Sequence, residues 1–248
     1  YMYALKSGKN NSTPFNHFWL GSDLPVKLKE NTYLLFSPYY EQWQWGDTDA
    51  IEIYPNVQSI TFPVGLIIPL AQEQWSLTFI SIVRWNAEKL LADNSFQFGG
   101  VALASFARRP HQKFRLGVYV NNEFFGVYVV PLLGVDWRLD EKNNLFGVLP
   151  GRLTFEHQWN DRLFGGFTFR AITNSYRVLD GKFIRLDDNQ VSLFLDYYLA
   201  RNICITLEPG FGVLRKLRTG INHNDYITSE KWGDGLFMKI SSSYRIRL

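Results

Sequence analysis

Most of the chain alternates between apolar and polar residues with a period of two, the pattern of β-strands that have one apolar face. In VSLFLDYYL (residues 191–199) the odd-numbered positions are apolar, and the polar Ser192 and Asp196 are even-numbered. GLFMKISSSYRIRL (residues 235–248) repeats the pattern with apolar even-numbered positions, which only Phe237 and Ser242 break. Helical periodicity is nearly absent, so the pattern predicts an all-β chain.

The alternating segments predict twelve strands. Pro150-Gly151 is a strong turn signal, and we place a turn there between two short strands. If this dipeptide were only a bulge, the count would fall, and ten strands is the alternative. The predicted strands are 33–43, 59–70, 75–85, 96–108, 113–121, 126–139, 145–149, 152–159, 162–175, 184–199, 202–216 and 235–248.

The connections between these segments are of two kinds. Five are short and polar, whereas others are longer and variable. Short periplasmic turns and longer outer loops are typical of bacterial outer-membrane barrels. The pattern therefore predicts a transmembrane antiparallel up-and-down β-barrel over residues 32–248, with both termini in the periplasm. Residues 1–31 are polar and interrupted by Pro and Gly, and we expect a periplasmic or plug-like lead-in. The short turns are 71–74, 109–113, 140–144, 160–162 and 200–202, and the longer loops are 44–57, 86–95, 176–183 and 217–231.

Composition agrees with a membrane barrel and excludes some other classes. The 248 residues are 46% hydrophobic and 17% aromatic, with a mean hydropathy of −0.15. Strands that face lipid on one side and a polar interior on the other give this mixture, and a soluble β-sandwich gives it less often. No apolar run approaches the roughly 20 residues of a membrane-spanning helix. A net charge of +3 gives no reason to expect a nucleic-acid partner.

The two ends of the sequence carry further expectations. The chain opens without a signal peptide, which indicates a mature or trimmed form, and position 1 is not a lipid-anchoring cysteine. Cys204 is the only cysteine, so no internal disulfide forms. At the other end Tyr244, Ile246 and Leu248 resemble the alternating terminal signal that the barrel insertion machinery reads, although a terminal Phe is commoner than Leu.

Tryptophans fall near the ends of the predicted strands. Trp and Tyr concentrate at the two membrane–water interfaces, where the ring is buried and its polar atom stays hydrated. We therefore expect an interfacial aromatic belt made of Trp43, Trp45, Trp75, Trp85, Trp137 and Trp159.

Several motifs resemble an uncharacterised, domain-of-unknown-function family of Bacteroidota outer-membrane proteins. They are EFFG.Y..P.LG.DW (123–137), LFGVLPG (145–151), SYR (175–177) and LF.DYYL..N (193–202). The resemblance implies a β-barrel integral to the bacterial outer membrane. It brings no catalytic residues with it.

The inward faces of the strands should be rich in charge. By alternation they hold eight cationic and five acidic side chains. In one interpretation these charges pair across the lumen and fill a narrow barrel, because buried charges must be paired. In the other, the cationic excess lines a pore for small anionic solutes, since arginine suits carboxylate and phosphate. The residues are Arg84, Arg115, Glu123, Asp136, Arg138, Arg152, Glu156, Arg170, Asp196, Glu208, Lys239, Arg245 and Arg247.

No constellation in the sequence indicates catalysis, a cofactor or a metal. His157 should face lipid beside Trp159, without the Ser or Thr that a lipid-active enzyme would need. The loop around His223 and Asp225 reads as solvated, and the Asp187-Asp188 pair as a turn.

The best-supported function is therefore a non-enzymatic barrel that serves as an accessory or structural subunit of an outer-membrane assembly. An anion pore comes second and a lipid-active enzyme third. The expected partners are outer-membrane lipid, lipopolysaccharide, the insertion machinery and other outer-membrane proteins.

Overall fold

A computed structural model describes residues 2–4, 14–46, 56–70, 74–178, 181–221, 225–231 and 233–245. These residues form seventeen β-strands. No helix among them is long and apolar enough to cross a membrane. The strands are β1 (Met2–Ala4), β2 (Phe15–Gly21), β3 (Leu24–Lys29), β4 (Thr32–Phe36), β5 (Tyr39–Trp45), β6 (Asn56–Pro69), β7 (Trp75–Ala87), β8 (Phe96–Arg109), β9 (Gln112–Glu123), β10 (Gly126–Arg138), β11 (Asn143–Leu149), β12 (Arg152–Asn160), β13 (Leu163–Arg177), β14 (Phe183–Ala200), β15 (Ile203–Gly220), β16 (Tyr226–Glu230) and β17 (Gly235–Tyr244).

All twelve predicted spans contain strands, and the all-β prediction is confirmed. The predicted turn at Pro150-Gly151 is also confirmed, because β11 ends at Leu149, β12 begins at Arg152, and the two strands pair antiparallel. Alternation located these elements well because one face of each strand is apolar along most of its length.

The N-terminal segment corrects the prediction. The region assigned to a lead-in contains β2 and β3, which pair with β5 and β4 in the same sheet. The predicted boundary between residues 31 and 32 is therefore wrong for the described part of this region, and the counts of twelve and ten strands are too low. Ser22 and Asp23 interrupt the alternation between β2 and β3, which is why the segment did not read as a strand.

The pairing closes the sheet on itself in two ways. Consecutive strands from β5 to β15 pair antiparallel with one another. The ring then closes through β17, β1 and β2, since β15 pairs with β17, β17 with β1, β1 with β2, and β2 with β5. A shorter ring of seven strands, β7 to β13, closes inside this one, because Arg177 of β13 meets Ala87 of β7 in a parallel bridge. Closure removes sheet edges that would otherwise be exposed.

The two ends of the barrel are named here by their connections. The short-turn end carries the links 70–74, 110–111, 139–142, 161–162 and 201–202. The long-loop end carries 46–55, 88–95, 178–182 and 221–225.

An apolar band surrounds the outside of the barrel between these ends. On β7 the outward face begins at Trp75 and ends at Trp85, ten residues later, with Leu77, Phe79 and Val83 between them. A rise of about 3.3 Å per residue and a strand tilt of about 40° separate the two indoles by roughly 25 Å along the barrel axis. This height is that of the apolar band of outer-membrane barrels, which is roughly 25 Å.

Three long strands continue beyond this band and fold over the lumen. On β14 the outward residues are apolar from Leu199 up to Val191 and then become polar at Asn189, Asp187 and Arg185. We call these three continuations, together with β16, the cap sheet; it comprises residues 172–177, 183–188, 215–220 and 226–230. Its β13 segment reaches across to β7, so the cap sheet lies over the long-loop end.

Candidate functional site

The lumen at the long-loop end is filled by an apolar core. Ile184 and Leu186 of the cap sheet pack in one cluster with Trp43 and Val57 of the opposite wall. Trp43 and Leu186 are completely buried. Burial of each Leu or Ile side chain contributes about 1.5–3 kcal/mol, so this core holds the cap sheet against the wall.

A second filling, which is polar, lies between the cap sheet and strands β7 to β9. The Glu123 carboxylate is fully buried and accepts from the Arg84 guanidinium at 3.1 Å, from Gln97 at 3.1 Å and from Asn121 at 2.7 Å. Ser175 of the cap sheet donates to it twice, through its backbone N–H at 3.1 Å and its hydroxyl at 2.6 Å. Because every lone pair of this carboxylate faces a donor, the charge is tolerated away from water.

A second buried carboxylate site, which the sequence analysis missed, joins the core to this network. Glu41 of β5 accepts from the Tyr176 hydroxyl at 2.8 Å and from the Asn174 amide at 3.0 Å. His17 Nε2 lies 3.4 Å from the other Glu41 oxygen, and its ring stacks on Trp43 with centroids 3.8 Å apart. Glu41 has the same parity as Trp43 and Trp45. This shared face would have indicated that Glu41 is buried, had the face been predicted to point inward.

A buried ion pair lies at the base of the cap sheet. Arg215 Nε donates to Asp188 at 2.8 Å, and both side chains are almost fully buried. Gln190 donates to the same carboxylate at 2.6 Å. The Arg215 guanidinium occupies the space that Gly212 leaves, since a Cβ there would lie 2.0 Å from it.

Buried side chains of these clusters fill the described part of the long-loop end, which we call the sealed end. The bridge from Arg177 to Ala87 divides the cross-section in two, and buried side chains fill each part. One part holds the apolar core, and the other holds the network around Glu123.

The short-turn half of the lumen is lined instead by paired and unpaired charges. Glu208 is at the centre of one group: Arg170 reaches it with two nitrogens at 2.8 and 3.1 Å, Ser192 donates at 2.6 Å, and Lys239 lies at 3.4 Å. The two-nitrogen arrangement is the strong, planar form of an arginine–carboxylate pair.

A second group lies next to it. Arg245 donates to Asp196 at 2.5 Å, and Thr206 donates to the same carboxylate. Arg152 donates through Nε to the Thr154 hydroxyl at 3.1 Å. Thr154 is buried on the inward face of β12, yet Arg152 on that same face is exposed. Arg152 is exposed at the end of β12 that follows the Pro150-Gly151 turn. We call this charged half of the lumen the vestibule.

The structure distributes the predicted lumen charges between the two halves. Arg84 and Glu123 belong to the sealed end, and Arg152, Arg170, Asp196, Glu208, Lys239 and Arg245 line the vestibule. Arg115 and Asp136 pair at 3.1 Å and are both partly exposed. Glu156 is buried and accepts from Asn144 at 3.5 Å. Arg138 is exposed at the short-turn rim, and Arg247 lies outside the described residues.

Four of the six tryptophans predicted to form the interfacial belt lie on the outside of the barrel or near its rim. Trp75 and Trp159 are exposed near the short-turn end, where Trp137 packs edge-on against Phe114. Trp85 faces outward near the long-loop end.

Trp43 and Trp45 correct that prediction. Both are buried inside the barrel, because their face of β5 is the inward face and the cap sheet packs on it. Of the predicted C-terminal signal, Tyr244 is 71% exposed, while Ile246 and Leu248 lie outside the described residues.

The structure shows the surroundings of the residues that were considered for chemistry. His157 faces outward, bonds Asn143 at 2.8 Å and packs edge-on against Trp159. The Asp187-Asp188 pair is part of β14 and not the predicted turn, and its two carboxylates point to opposite faces. Among the described residues no group of three or more His, Cys, Asp or Glu side chains could hold a metal ion. His223 lies outside those residues.

Comparisons with known proteins gave only distant likenesses. No family model and no curated protein matches the chain, so the Bacteroidota resemblance stays a prediction. The solved structures that resemble it include the NanC porin, with 9% identity, a TM-score of 0.43 and coverage of 99% of this chain and 98% of that one. A ferric enterobactin receptor of Pseudomonas aeruginosa has 11% identity, a TM-score of 0.35 and coverage of 95% and 55%. These likenesses are too distant to carry an argument.

Proposed function

We propose that this protein is an integral outer-membrane β-barrel that acts, without catalysis, as an accessory or structural subunit of an outer-membrane assembly. In this proposal the long-loop end faces outside and the short-turn end, with both termini, faces the periplasm. The apolar band of about 25 Å between Trp75 and Trp85 supports the membrane location. The insertion machinery, lipid and lipopolysaccharide are then the partners that any such barrel meets.

The sealed long-loop end is the observation that carries the proposed role. A barrel whose described residues fill this end with a packed apolar core and a hydrogen-bonded network is a poor path for a solute. Its outer surface and its two rims are what remain for interaction. On the odd-numbered face of β14 in the cap sheet, Arg185 bridges to Asp187 at 3.0 Å and lies 4.2 Å over the Phe125 ring.

Lipid quenching tests the membrane location. In vesicles whose lipids carry bromine near the headgroups, we expect Trp159→Phe to remove quenchable fluorescence. Trp43→Phe is the matched control, since this indole is inside the barrel and should contribute only unquenched signal. Equal losses in the two variants would contradict the proposed placement.

Crosslinking in intact membranes tests the accessory role. Mild detergent extraction followed by mass spectrometry should recover at least one outer-membrane protein in stoichiometric amount. Recovery of the chain alone, both with and without crosslinker, would contradict the accessory role but not the membrane location.

The anion pore is the second candidate, favoured by the cationic vestibule and opposed by the sealed end. In planar bilayers we expect the native protein to be silent and the variant Leu186→Asp to open, because a carboxylate in the apolar core disfavours cap closure. Anion-selective steps from the native protein would favour the pore over the accessory role.

A further inference from the structure

We propose that the vestibule contains a binding site for a small soluble oxyanion, a phosphate or carboxylate group, with Arg152 as its principal ligand. Arg170 lies opposite it on the neighbouring strand, and Arg245 also lies near it. The inference is independent of the accessory role, since a barrel that conducts no solute can still bind an anion.

Arg152 is the side chain that the vestibule leaves available. Its Nε is used by Thr154 at 3.1 Å, whereas its two terminal nitrogens have no carboxylate within 4.0 Å among the described residues. The neighbouring cations are each committed, Arg170 and Lys239 to Glu208 and Arg245 to Asp196. A free terminal pair of guanidinium N–H donors fits an oxyanion with two oxygens side by side.

The placement of Arg152 is unfavourable unless a counter-ion is present. Arg152 lies directly opposite Arg170 on the neighbouring strand. Like charges at opposed positions of an antiparallel pair destabilise the sheet. The Thr154–Thr168 pair next to them shows the neutral alternative, a hydroxyl bond of 3.0 Å across the same two strands. An anion between the arginines would turn repulsion into attraction.

The charge balance of the vestibule points the same way. Four cations, Arg152, Arg170, Lys239 and Arg245, face the carboxylates of Glu208 and Asp196. Counting Glu156 of β12 as a third acid still leaves an excess of one positive charge. Because Arg152 is exposed, an anion can reach it from solvent.

Titration calorimetry with inorganic phosphate tests the site in the purified full chain in detergent at low ionic strength. We expect saturable one-site binding to the native protein and a loss of about tenfold or more in affinity in Arg152→Gln. Arg138→Gln, at an exposed rim position, is the matched control and should bind as the native protein does. Undetectable binding to the native protein, or equal affinity in Arg152→Gln, would overturn the proposal.

A protection experiment on the native chain keeps the test decisive if Arg152→Gln fails to fold. Phosphate should slow modification of Arg152 by phenylglyoxal, followed by peptide mass spectrometry, and leave modification of Arg138 unchanged. Equal rates with and without phosphate would contradict the site. Replacing phosphate with a soluble short-chain phospholipid distinguishes the sources: the vestibule ligand should be the free anion, and protection by the phospholipid alone would overturn this assignment.

Discussion

At the long-loop end the inward-facing Trp43 and Leu186 are completely buried, whereas at the short-turn end Arg138 and Ser241 are exposed. Both ends are built from the same strands with the same alternation. The difference comes from what lies opposite each inward face. The cap sheet covers the long-loop end. Among the described residues, no comparable sheet covers the vestibule.

The two halves also treat charge differently. In the sealed half, Glu123 with Arg84 and Asp188 with Arg215 are pairs buried on both sides, and each carboxylate has further donors. In the vestibule, Arg245 is 37% exposed, and Arg152 has no carboxylate partner within the part of the chain that the structure describes. Removal of one partner of a buried ion pair strongly destabilises the fold, whereas removal of an exposed charge has little effect because solvent screens it. The sealed half should therefore dominate stability, and the vestibule should dominate ligand binding.

The largest effect is expected from breaking the buried network. Glu123→Ala removes the acceptor of Arg84, Gln97 and Ser175 and leaves the Arg84 charge buried without its partner. We expect a loss of about 3–5 kcal/mol in the free energy of unfolding. Urea unfolding in detergent micelles, followed by tryptophan fluorescence, measures it.

The control for this variant comes from the short-turn end. Asp136→Ala removes the partner of Arg115 in a pair whose side chains are 30% and 45% exposed. Solvent screens this pair, so the loss should stay below about 1 kcal/mol. Equal losses in the two variants would mean that the two halves do not differ in the way described.

The apolar core gives the next largest effect. Leu186→Ala empties part of a completely buried site, and we expect a loss of about 2–5 kcal/mol from lost transfer energy plus a cavity. On the same strand Leu193 is 64% exposed on the outward face, where Ala creates no cavity. Leu193→Ala should cost about half as much. A greater loss at Leu193 than at Leu186 in the same urea titration would contradict a packed cap.

Alternation predicted which residues share a face, and β14 shows what this pattern can and cannot predict. The even-numbered face from Ser192 to Tyr198 was predicted to be inward and is inward. The same parity continues upstream to Asp188 and Leu186, so their inward position was readable once the strand was known to be long. What alternation could not predict is the partner of that face, because the cap sheet folds against strands that are far away in sequence.

Two local features defeated the pattern. Near Leu214, which has a φ of 55°, the pairing of β15 with β14 shifts, and Arg215 and Leu217 become inward where Lys216 would have been. A bulge changes parity without leaving a clear mark in the sequence. In the N-terminal region, short strands broken by Ser22 and Asp23 were too brief to show a period. His17 was missed for the second reason. Glu41 lies in the predicted strand 33–43 and was missed because Trp43, on the same face, was assigned to the interfacial belt.

A smaller effect of opposite sign is expected from the vestibule. In buffer without phosphate, Arg152→Gln removes the repulsion across the pair with Arg170 while Gln can still bond Thr154. We expect the free energy of unfolding to rise by about 0.2–1 kcal/mol. Arg138→Gln at the rim should leave it unchanged. Destabilisation by Arg152→Gln would show that other groups already balance the charge of Arg152. The two halves would then differ less in how they treat charge.

The smallest effect concerns a turn at the short-turn end, outside the apolar band. Asp140 accepts from the Asn143 amide at 2.6 Å, and from the backbone N–H groups of Lys142 and Asn143 at 2.8 and 2.9 Å. These bonds, the Asn143 side chain first, lower the pKa of Asp140 below its ordinary value. A lowered pKa in the folded state means that the turn is stabilised above the ordinary pKa and loses this contribution as the pH falls through the folded value.

Carbon-detected NMR titration of the Asp140 carboxyl carbon measures this shift directly. We expect its midpoint to lie below that of an unperturbed aspartate, and Asn143→Ala to move it upward, because the strongest donor is lost. Since Asp140 is fully exposed, global unfolding should hardly respond, unlike in Glu123→Ala. An unchanged midpoint in Asn143→Ala would show that the backbone donors alone hold the turn.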